Sequence, residues 1–230
     1  MLKGNKIIHF EKINSTNDYL KNSYKKLKNG TIVVSKIQTN GRGRLGRNWE
    51  SNEGGLWFSI LVKRNLKKPN FYTKLSSIVI LNVLKNLNIN AKIKWPNDIY
   101  VNSKKLSGIL TEAISFNNKI KCIIIGIGIN INNDVPKNGI SIYHIKNKKI
   151  NPNDFLKLFI KEYNKNFLLF SLFSPLLNIK WKKNLMFKKG DKIEGYKIIK
   201  IFPDFLLLEK NKKRIKIRSI HELEKGGIND

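Results

Sequence analysis

A stretch of three arginines and three glycines at residues 41–49 (GRGRLGRNW) constrains the fold of this chain more than any other segment. Apolar runs at 32–34 and 56–60 flank it closely, which predicts a loop between two strands inside a folded region. Guanidinium is a rigid fork that suits phosphate and carboxylate, and glycine lets a backbone close tightly over an anion. We therefore predict a loop that closes on a phosphate-bearing small molecule, with the indole of Trp49 over a flat ring or an aliphatic tail.

Three other interpretations of this stretch have to be weighed. Gly41, Gly43 and Gly46 have G-x-G-x-x-G spacing, but a dinucleotide fingerprint needs a helix directly afterwards and an acidic residue about 20 positions on. Polar loop residues follow at 48–55, lysines stand where the acid is needed, and no P-loop motif occurs. A solvated nucleic-acid tail is the third interpretation, although such tails lie outside folded cores.

The composition is that of a folded protein with a large basic excess. A chain of 230 residues with 41% hydrophobic residues can bury one core and carry a small appendage. The net charge is +29, but lysine is spread almost evenly, so a specific nucleic-acid function is an alternative and not the preferred one. No segment reaches the roughly 20 apolar residues of a membrane span, and the N-terminus has no signal or transit peptide pattern.

Cysteine and histidine usage narrows the chemistry. The single cysteine, Cys122, lies in an apolar run, which predicts a buried thiol and fits a cytoplasmic protein. The three histidines are scattered and accompany no cysteine cluster, so we expect no protein-bound zinc or haem. Neither a G-x-S-x-G motif nor an evident pair of carboxylates is present, which weakens hydrolase chemistries.

Apolar periodicity predicts a mixed chain of helices and strands. Strands are expected at 7–10, 31–38, 56–62, 91–95 and 121–131, with a hairpin at 99–101 and 105–114. Helices are expected from residue 16 to about 29, from residue 70, from residue 152, and after Pro175, the last one carrying Trp181 and Met186. Short alternating strands at 197–201, 205–209 and 214–218 predict a small terminal β module.

Several local features have both a structural and a functional interpretation. Residues 15–17 (STN) cap a helix, and the same hydroxyls can face a ligand. Gly126 and Gly128 interrupt a strand, which marks a bulge or a close approach to the backbone. Lys105 opens a strand after a turn, so it is either a solvated hairpin lysine or a cation held on a stiff element. Asp98 follows a rigid Trp-Pro-Asn segment and can hold a Mg²⁺-nucleotide or orient a nucleophile.

Four motifs in order resemble those of biotin protein ligases (biotin–[acetyl-CoA-carboxylase] ligases). They are residues 41–49, KWPNDIY at 94–100, KLSGILTE at 105–112 and GIGIN at 126–130, and residues 15–17 match the family's first motif. The resemblance implies an α+β fold of the class II synthetase/biotin–lipoate ligase type: a mixed, mostly antiparallel sheet with helices packed on it. It further implies a catalytic domain at 1–187 and a small C-terminal SH3-like β-barrel module at 188–230.

The resemblance also implies a two-step activity. The carboxylate of biotin attacks the α-phosphate of ATP to give biotinyl-5′-AMP, and an acceptor lysine of a biotin carboxyl carrier protein domain then displaces AMP. Neither step needs an enzyme nucleophile, so positioning and charge neutralisation by arginines, Lys105 and Mg²⁺ suffice. The implied small molecules are thus biotin, ATP and its Mg²⁺, and the implied protein partner is the carrier domain of acetyl-CoA carboxylase.

Site residues follow from the matched motifs. The implied catalytic residues are Arg44, Lys105 and Asp98, where Asp98 orients the incoming lysine or helps to bind the metal. The implied biotin-binding residues are Ser15, Thr16, Asn17, Gln38, Gly41, Arg42, Gly43, Arg44, Lys105, Gly126 and Gly128, the last two making room for the valeryl tail. The implied ATP- and adenylate-binding residues are Arg44, Arg47, Trp49, Lys94, Asn97, Lys105 and Asn130.

The remaining expectations concern the binding partners of the chain, the alternative enzyme class and whether the loop at 41–49 is ordered. The first family motif begins at Ser15, which leaves no room for the DNA-binding domain of regulatory members, so we expect a ligase without specific DNA binding and without a membrane partner. A homodimer is left open. Lipoate–protein ligases share the fold and the adenylation logic but resemble residues 41–49 less well, and they are the alternative enzyme. Like charges in a glycine-rich segment repel, so we expect this loop to be ordered only with ligand.

Overall fold

A computed structural model describes residues 6–224 as eleven strands and six α-helices. The strands are β1 (Ile7–Ile13), β2 (Ile32–Gln38), β3 (Leu56–Val62), β4 (Lys92–Lys94), β5 (Asp98–Val101), β6 (Lys104–Phe116), β7 (Lys119–Ile129), β8 (Lys192–Ile193), β9 (Tyr196–Ile201), β10 (Leu206–Lys210) and β11 (Lys213–Ile217). The helices are α1 (Thr16–Ser23), α2 (Pro69–Asn86), α3 (Ile142–Lys146), α4 (Pro152–Leu172), α5 (Ser174–Lys183) and α6 (His221–Glu224).

Two sheets organise these elements. The larger has seven strands in the order β1-β2-β3-β7-β6-β5-β4, and the smaller has four in the order β11-β10-β9-β8. In the larger sheet β1 and β2 are parallel and all other neighbours are antiparallel. The predicted α+β class with a mixed, mostly antiparallel sheet is therefore confirmed. The terminal module is also a β structure, with one strand, β8, more than expected.

Side-chain alternation along β7 divides the larger sheet into two faces. Ile123, Ile125 and Ile127 join the main core, which α2 and α4 cover. Cys122 and Ile124 point the other way and pack with Leu20 of α1 in a smaller buried cluster. Gly126 and Gly128 share that second face by alternation, so both glycines lie on the α1 side of the sheet.

Most helix and strand bounds match the expectations, and the exceptions have local causes. Helix α1 ends at Ser23, well before the expected turn at 29–30. The apolar stripe that predicted a longer helix continues past Ser23 in a turn segment. Met186 lies beyond α5, where its amide donates to the Ile93 carbonyl over 2.9 Å and extends the sheet edge. Helix α3 was not predicted from the sequence.

The two sheets share one buried core. Apolar residues of the smaller sheet, among them Ile198 and Leu208, belong to the same cluster as the helices on the larger sheet. Trp95, which is buried beside β4, donates from Nε1 to the carbonyl of Phe202 over 2.9 Å. The boundary at 187/188 stays a prediction. No helix within residues 6–224 is both long and apolar enough to cross a membrane.

Candidate active site

A cavity of about 280 Å³ opens on the α1 face of the larger sheet. Its walls come from residues far apart in sequence, including the loop at 41–49, hereafter the arginine loop. Fifteen of the seventeen residues expected at the site line it: Ser15, Thr16, Asn17, Gln38, Arg42, Gly43, Arg44, Arg47, Trp49, Lys94, Asn97, Asp98, Lys105, Gly126 and Gly128.

One side of the cavity is built from amides and hydroxyls, hereafter the polar wall (Ser15, Thr16, Asn17 and Gln38). Ser15 caps α1 by accepting from the amide of Asp18, as expected, which places the next two residues at the first turn of the helix. Gln38 ends β2, and its Oε1 accepts from the amide of Thr16 over 2.8 Å and lies 3.0 Å from the Thr16 hydroxyl. These contacts join a helix start to a strand end.

The hydroxyl of Ser59 on β3 extends the polar wall into the protein. It lies 2.6 Å from the hydroxyl of Thr16 and donates to Oδ1 of Asn17 over 2.5 Å. Each hydroxyl has a single hydrogen to donate. The hydrogen bonds are therefore consistent if the Thr16 hydroxyl donates to Ser59 and the Ser59 hydroxyl donates to Asn17. Gln38 still accepts a hydrogen bond from the backbone amide of Thr16.

The two strand glycines lie in regular sheet, and protein side chains occupy the space beside them. No register shift occurs at either position in the pairing with β3 or with β6, so the bulge interpretation is wrong. A Cβ on Gly126 would come 2.3 Å from Oδ1 of Asn17, and one on Gly128 would come 2.4 Å from Nε1 of Trp49. The close approach is thus to Asn17 and Trp49, and room for the valeryl tail stays a prediction.

Cations line another part of the cavity, among them Arg44 and Lys105. Nζ of Lys105 lies 2.7 Å from Oδ2 of Asp98 and 4.9 Å from the ring centroid of Trp49. Asp98 pairs with Lys105, whereas Nζ of Lys94 lies over the ring of Tyr100 at 5.0 Å. The backbone of Lys105 is hydrogen-bonded to residues 138 and 140, and these bonds hold the strand segment that carries the lysine in place.

The arginine loop contacts the terminal module. Arg44 donates to Oδ1 of Asn97 over 3.2 Å and to the carbonyl of Arg218 over 3.1 Å. Arg47 contacts Oγ of Ser219 at 3.4 Å, and residues 219 and 220 line the cavity. Burial lowers the pKa of Arg44, although the charge of Asp98 opposes the shift. These partners lie outside the loop, and the expectation that the loop is ordered only with ligand stays a prediction.

A half-buried charge cluster lies behind the polar wall. Glu112 of β6 accepts from Nζ of Lys21 over 2.6 Å and from Nδ2 of Asn17 over 2.7 Å. Arg42 pairs with Asp18 and lies 3.5 Å from Glu112. Burial alone would raise the pKa of Glu112, but the hydrogen bonds from Lys21 and Asn17 and the charges of Lys21 and Arg42 lower it overall.

Two expected residues do not reach the cavity. Gly41 is buried where the two ends of the arginine loop, Gly41 and Trp49, lie side by side (hereafter the neck of the loop). A Cβ on Gly41 would come 2.3 Å from the carbonyl oxygen of Trp49. Asn130 is 5% exposed, and its amide donates to the carbonyls of Lys105 and Ile140. Both residues therefore support the loop and strand that form the site. Within the described residues, no group of three or more acidic, His or Cys side chains could hold a metal ion.

Comparison with known proteins identifies the family. The model of the biotin/lipoate A/B protein ligase family matches residues 9–130, which is more than half of the chain. This chain belongs to that family. The match contains the polar wall, the arginine loop and the β5–β7 strands, and it confirms the resemblance that the motifs indicated.

Solved members of the family share the fold over nearly the whole chain. The biotin protein ligase from Aquifex aeolicus in complex with biotin and ATP is 26% identical, with a TM-score of 0.76, and the similarity covers 93% of this chain and 96% of that one. A mutant of the Aquifex ligase in complex with biotin is 28% identical, with a TM-score of 0.78, and the similarity covers 95% of this chain and 97% of that one. The terminal module is therefore part of the shared architecture.

Curated relatives match the part that contains the site. The bifunctional ligase/repressor BirA of Bacillus subtilis is 42% identical over 114 residues, which cover 46% of this chain and 35% of BirA. BirA of Escherichia coli is 36% identical over 134 residues, which cover 56% of this chain and 42% of that protein. The match thus spans about a third to two fifths of the length of these curated relatives.

Proposed function

We propose that this chain is an ATP-dependent biotin protein ligase. It joins biotin to AMP and then transfers biotin to a lysine of a biotin carboxyl carrier protein domain. The observation that carries the proposal is a single cavity that is lined both by the polar wall and by the cations Arg44 and Lys105. Similarity to a ligase whose structure holds biotin and ATP supports it.

The polar wall suits a cyclic urea. A urea ring presents one acceptor oxygen and two N–H donors, and it needs partners of both kinds when it is buried. Amides offer both a donor and an acceptor, and hydroxyls do the same. We assign the ring of biotin to this wall, beside Thr16, Asn17 and Gln38, and its carboxylate to Arg44 and Lys105.

Adenylation then requires charge neutralisation between two anions. A carboxylate oxygen of biotin attacks the α-phosphorus of ATP, an oxygen–phosphorus bond forms, and the bond to pyrophosphate breaks. Arg44 and Lys105 offset the charge of the carboxylate and the phosphate, which otherwise repel each other. Asn97 holds Arg44 in place from the β4–β5 turn.

One residue of the cavity would suit the Mg²⁺ that accompanies ATP. Mg²⁺ is usually bound by one or two carboxylates together with phosphate oxygens and waters. Asp98 is the acidic residue among the described residues that line the cavity, so it would hold the ion with the phosphates of ATP. When bound there, Mg²⁺ neutralises phosphate charge.

Transfer needs an unprotonated acceptor. The lysine amine attacks the acyl carbon of biotinyl-AMP, an amide bond forms, and AMP leaves with the former carboxylate oxygen. A lysine with the usual pKa of about 10.4 must lose a proton first. Asp98 is one candidate acceptor for that proton and water is another, because the Asp98 carboxylate already pairs with Lys105 over 2.7 Å.

Lipoate ligation is the second candidate, because the family includes lipoate ligases. The dithiolane ring of lipoate carries two sulfurs and no N–H group. Such a ring offers the amides and hydroxyls of the wall no hydrogen-bond donor and only weak sulfur acceptors. The polar wall therefore favours biotin.

Product analysis separates the candidates. The protein is incubated with ATP, Mg²⁺ and either biotin or lipoate, and acyl-AMP and pyrophosphate are measured by mass spectrometry. We expect biotinyl-AMP, and we expect Arg44→Ala to abolish it while Arg64→Ala, on an exposed arginine, does not. Formation of lipoyl-AMP alone would establish the second candidate. Absence of both products, with salt-sensitive polyanion binding instead, would point to a basic binding protein.

A further inference from the structure

Glu112 lies just outside the cavity but contacts parts of two of its walls. It stands on β6 opposite Ile124 of β7, so it faces the α1 side of the sheet. Its side chain is 19% exposed and does not line the cavity. One carboxylate oxygen accepts from Asn17 and the other accepts from Lys21. None of the roles inferred so far uses this carboxylate.

The contact with Asn17 sets the orientation of an amide in the polar wall. An ionised carboxylate can only accept, so the Asn17 NH₂ group must face Glu112. The hydroxyl of Ser59 donates to the Asn17 carbonyl from the other side, and the backbone of Gly126 lies directly beneath. The amide of this cavity-lining residue is thus held at both ends, by Glu112 and by Ser59, in one fixed orientation.

The contact with Arg42 reaches the neck of the arginine loop. Nη2 of Arg42 lies 3.5 Å from Glu112, and the same guanidinium pairs with Asp18 of α1. Directly before it, the carbonyl of Gly41 accepts from the amide of Trp49 over 2.8 Å, which closes the neck. A guanidinium held by two carboxylates outside the loop therefore fixes where the loop begins.

The cluster is balanced in charge. Two carboxylates, Asp18 and Glu112, face two cations, Lys21 and Arg42, in a half-buried setting. Removing one partner of such a set leaves the others incompletely paired, and that loss exceeds the loss from an exposed ion pair. A neutral residue at position 112 would leave two cations with Asp18 alone, and an amide there could also donate, which would free Asn17 to turn.

We propose that Glu112 is a positioning residue whose carboxylate fixes the Asn17 amide in the polar wall and holds the neck of the arginine loop through Arg42. The identity of the ligand rests on the proposed function, whereas the positioning of the loop does not. Glu112 thereby sets the binding of the biotin ring without touching it.

The test compares Glu112→Gln with Glu11→Gln, an exposed carboxylate that pairs with Lys36 on β2. Hydrogen exchange of the ligand-free proteins is followed at the amides of Gly43 and Trp49, which are bonded inside the loop. We expect about tenfold faster exchange at both amides in Glu112→Gln, as the loss of a charged hydrogen bond implies. Biotin affinity should fall by about tenfold, with the KM for biotin raised more than the KM for ATP. Glu11→Gln should match the wild type.

Other results would overturn the inference. Unchanged loop exchange and unchanged biotin affinity in Glu112→Gln would remove Glu112 from the site. Equally faster exchange throughout α4 would reduce it to a general structural role. In an Arg42→Met background, Glu112→Gln should accelerate loop exchange little further, and fully additive effects would contradict action through Arg42. If the wild type forms no biotinyl-AMP, the proposed function fails, while the exchange comparison still decides the positioning of the loop.

Discussion

Nζ of Lys105 and Oδ2 of Asp98 lie 2.7 Å apart, on neighbouring strands β6 and β5, and both residues line the cavity. The lysine belongs to a strand that is hydrogen-bonded on both sides, and the face of Trp49 lies 4.9 Å from its ammonium. A flexible point charge is thereby held in one place. Such preorganisation makes a cation effective against charge that develops during a reaction.

Replacement of Lys105 should affect chemistry and leave the fold intact. We expect Lys105→Ala to slow adenylate formation by roughly 10²- to 10³-fold, the usual cost of losing one preorganised electrostatic partner. Single-turnover formation of biotinyl-AMP measures this. Lys104→Ala is the matched control, because Lys104 is the adjacent residue and is exposed. Equal rates for the two variants would remove Lys105 from the reaction.

A methyl group on Gly128 should displace Trp49. The added Cβ of Gly128→Ala would lie 2.4 Å from the indole nitrogen, so the ring has to move away from β7. We expect a loss of about 1–3 kcal/mol in the free energy of unfolding, typical of overpacking, together with a shift in tryptophan fluorescence. In a Trp49→Ala background the same change should cost little. An equal cost in both backgrounds, measured by urea unfolding, would contradict the contact.

The hydrogen bond from Trp95 to the Phe202 carbonyl should contribute measurably to stability. Trp181 is the matched control, because it is 1% exposed and its Nε1 has no hydrogen-bond partner within residues 6–224. We expect Trp95→Phe to lower the free energy of unfolding by about 1 kcal/mol more than Trp181→Phe, since only the first leaves a carbonyl unpaired.

Because both sheets share one core, calorimetry should show one transition. Two separate transitions would contradict this.

Acid should remove the stabilising effect of Glu112. Hydrogen bonds and nearby cations hold its folded pKa below the ordinary value despite burial. Its contribution is therefore complete above the unfolded pKa of about 4.3 and is lost as pH falls through the folded pKa. We expect wild type and Glu112→Gln to differ most in urea unfolding near neutral pH, and to converge in strong acid. A difference that does not change with pH would contradict the ion cluster.

Most helices and strands could be predicted from the sequence, because the features that start and stop them depend on residues close by in the chain. The Ser15 cap, the first-turn Pro69 and the β-branched run of β2 each depend on neighbours in the chain. The end of α1 could not be predicted, because its apolar stripe continues past Ser23 into a turn. Helix α3 spans five residues, too few to give a helical period.

Most of the site residues that the motifs implied do line one cavity, but the contacts between segments that are distant in sequence could not be predicted. Ser219 lies 172 positions after Arg47, so no spacing rule could bring the two together. Glu112 was visible at the end of a motif, but its role depends on Asn17, 95 positions away. Asn130 ends a motif, and its side-chain amide donates to two backbone carbonyls; its role at the adenylate stays a prediction. A sequence shows which residues are unusual, and only packing shows which way they face.

A crystal structure of the chain with biotin, ATP and Mg²⁺ tests the central claim most directly. We predict biotinyl-AMP in the cavity, with its ring against Thr16, Asn17 and Gln38 and its phosphate between Arg44 and Lys105. The arginine loop should lie over the ligand and keep its contacts with residues 218 and 219. An adenylate bound elsewhere, or a loop directed into solvent with the ligand in place, would contradict the account.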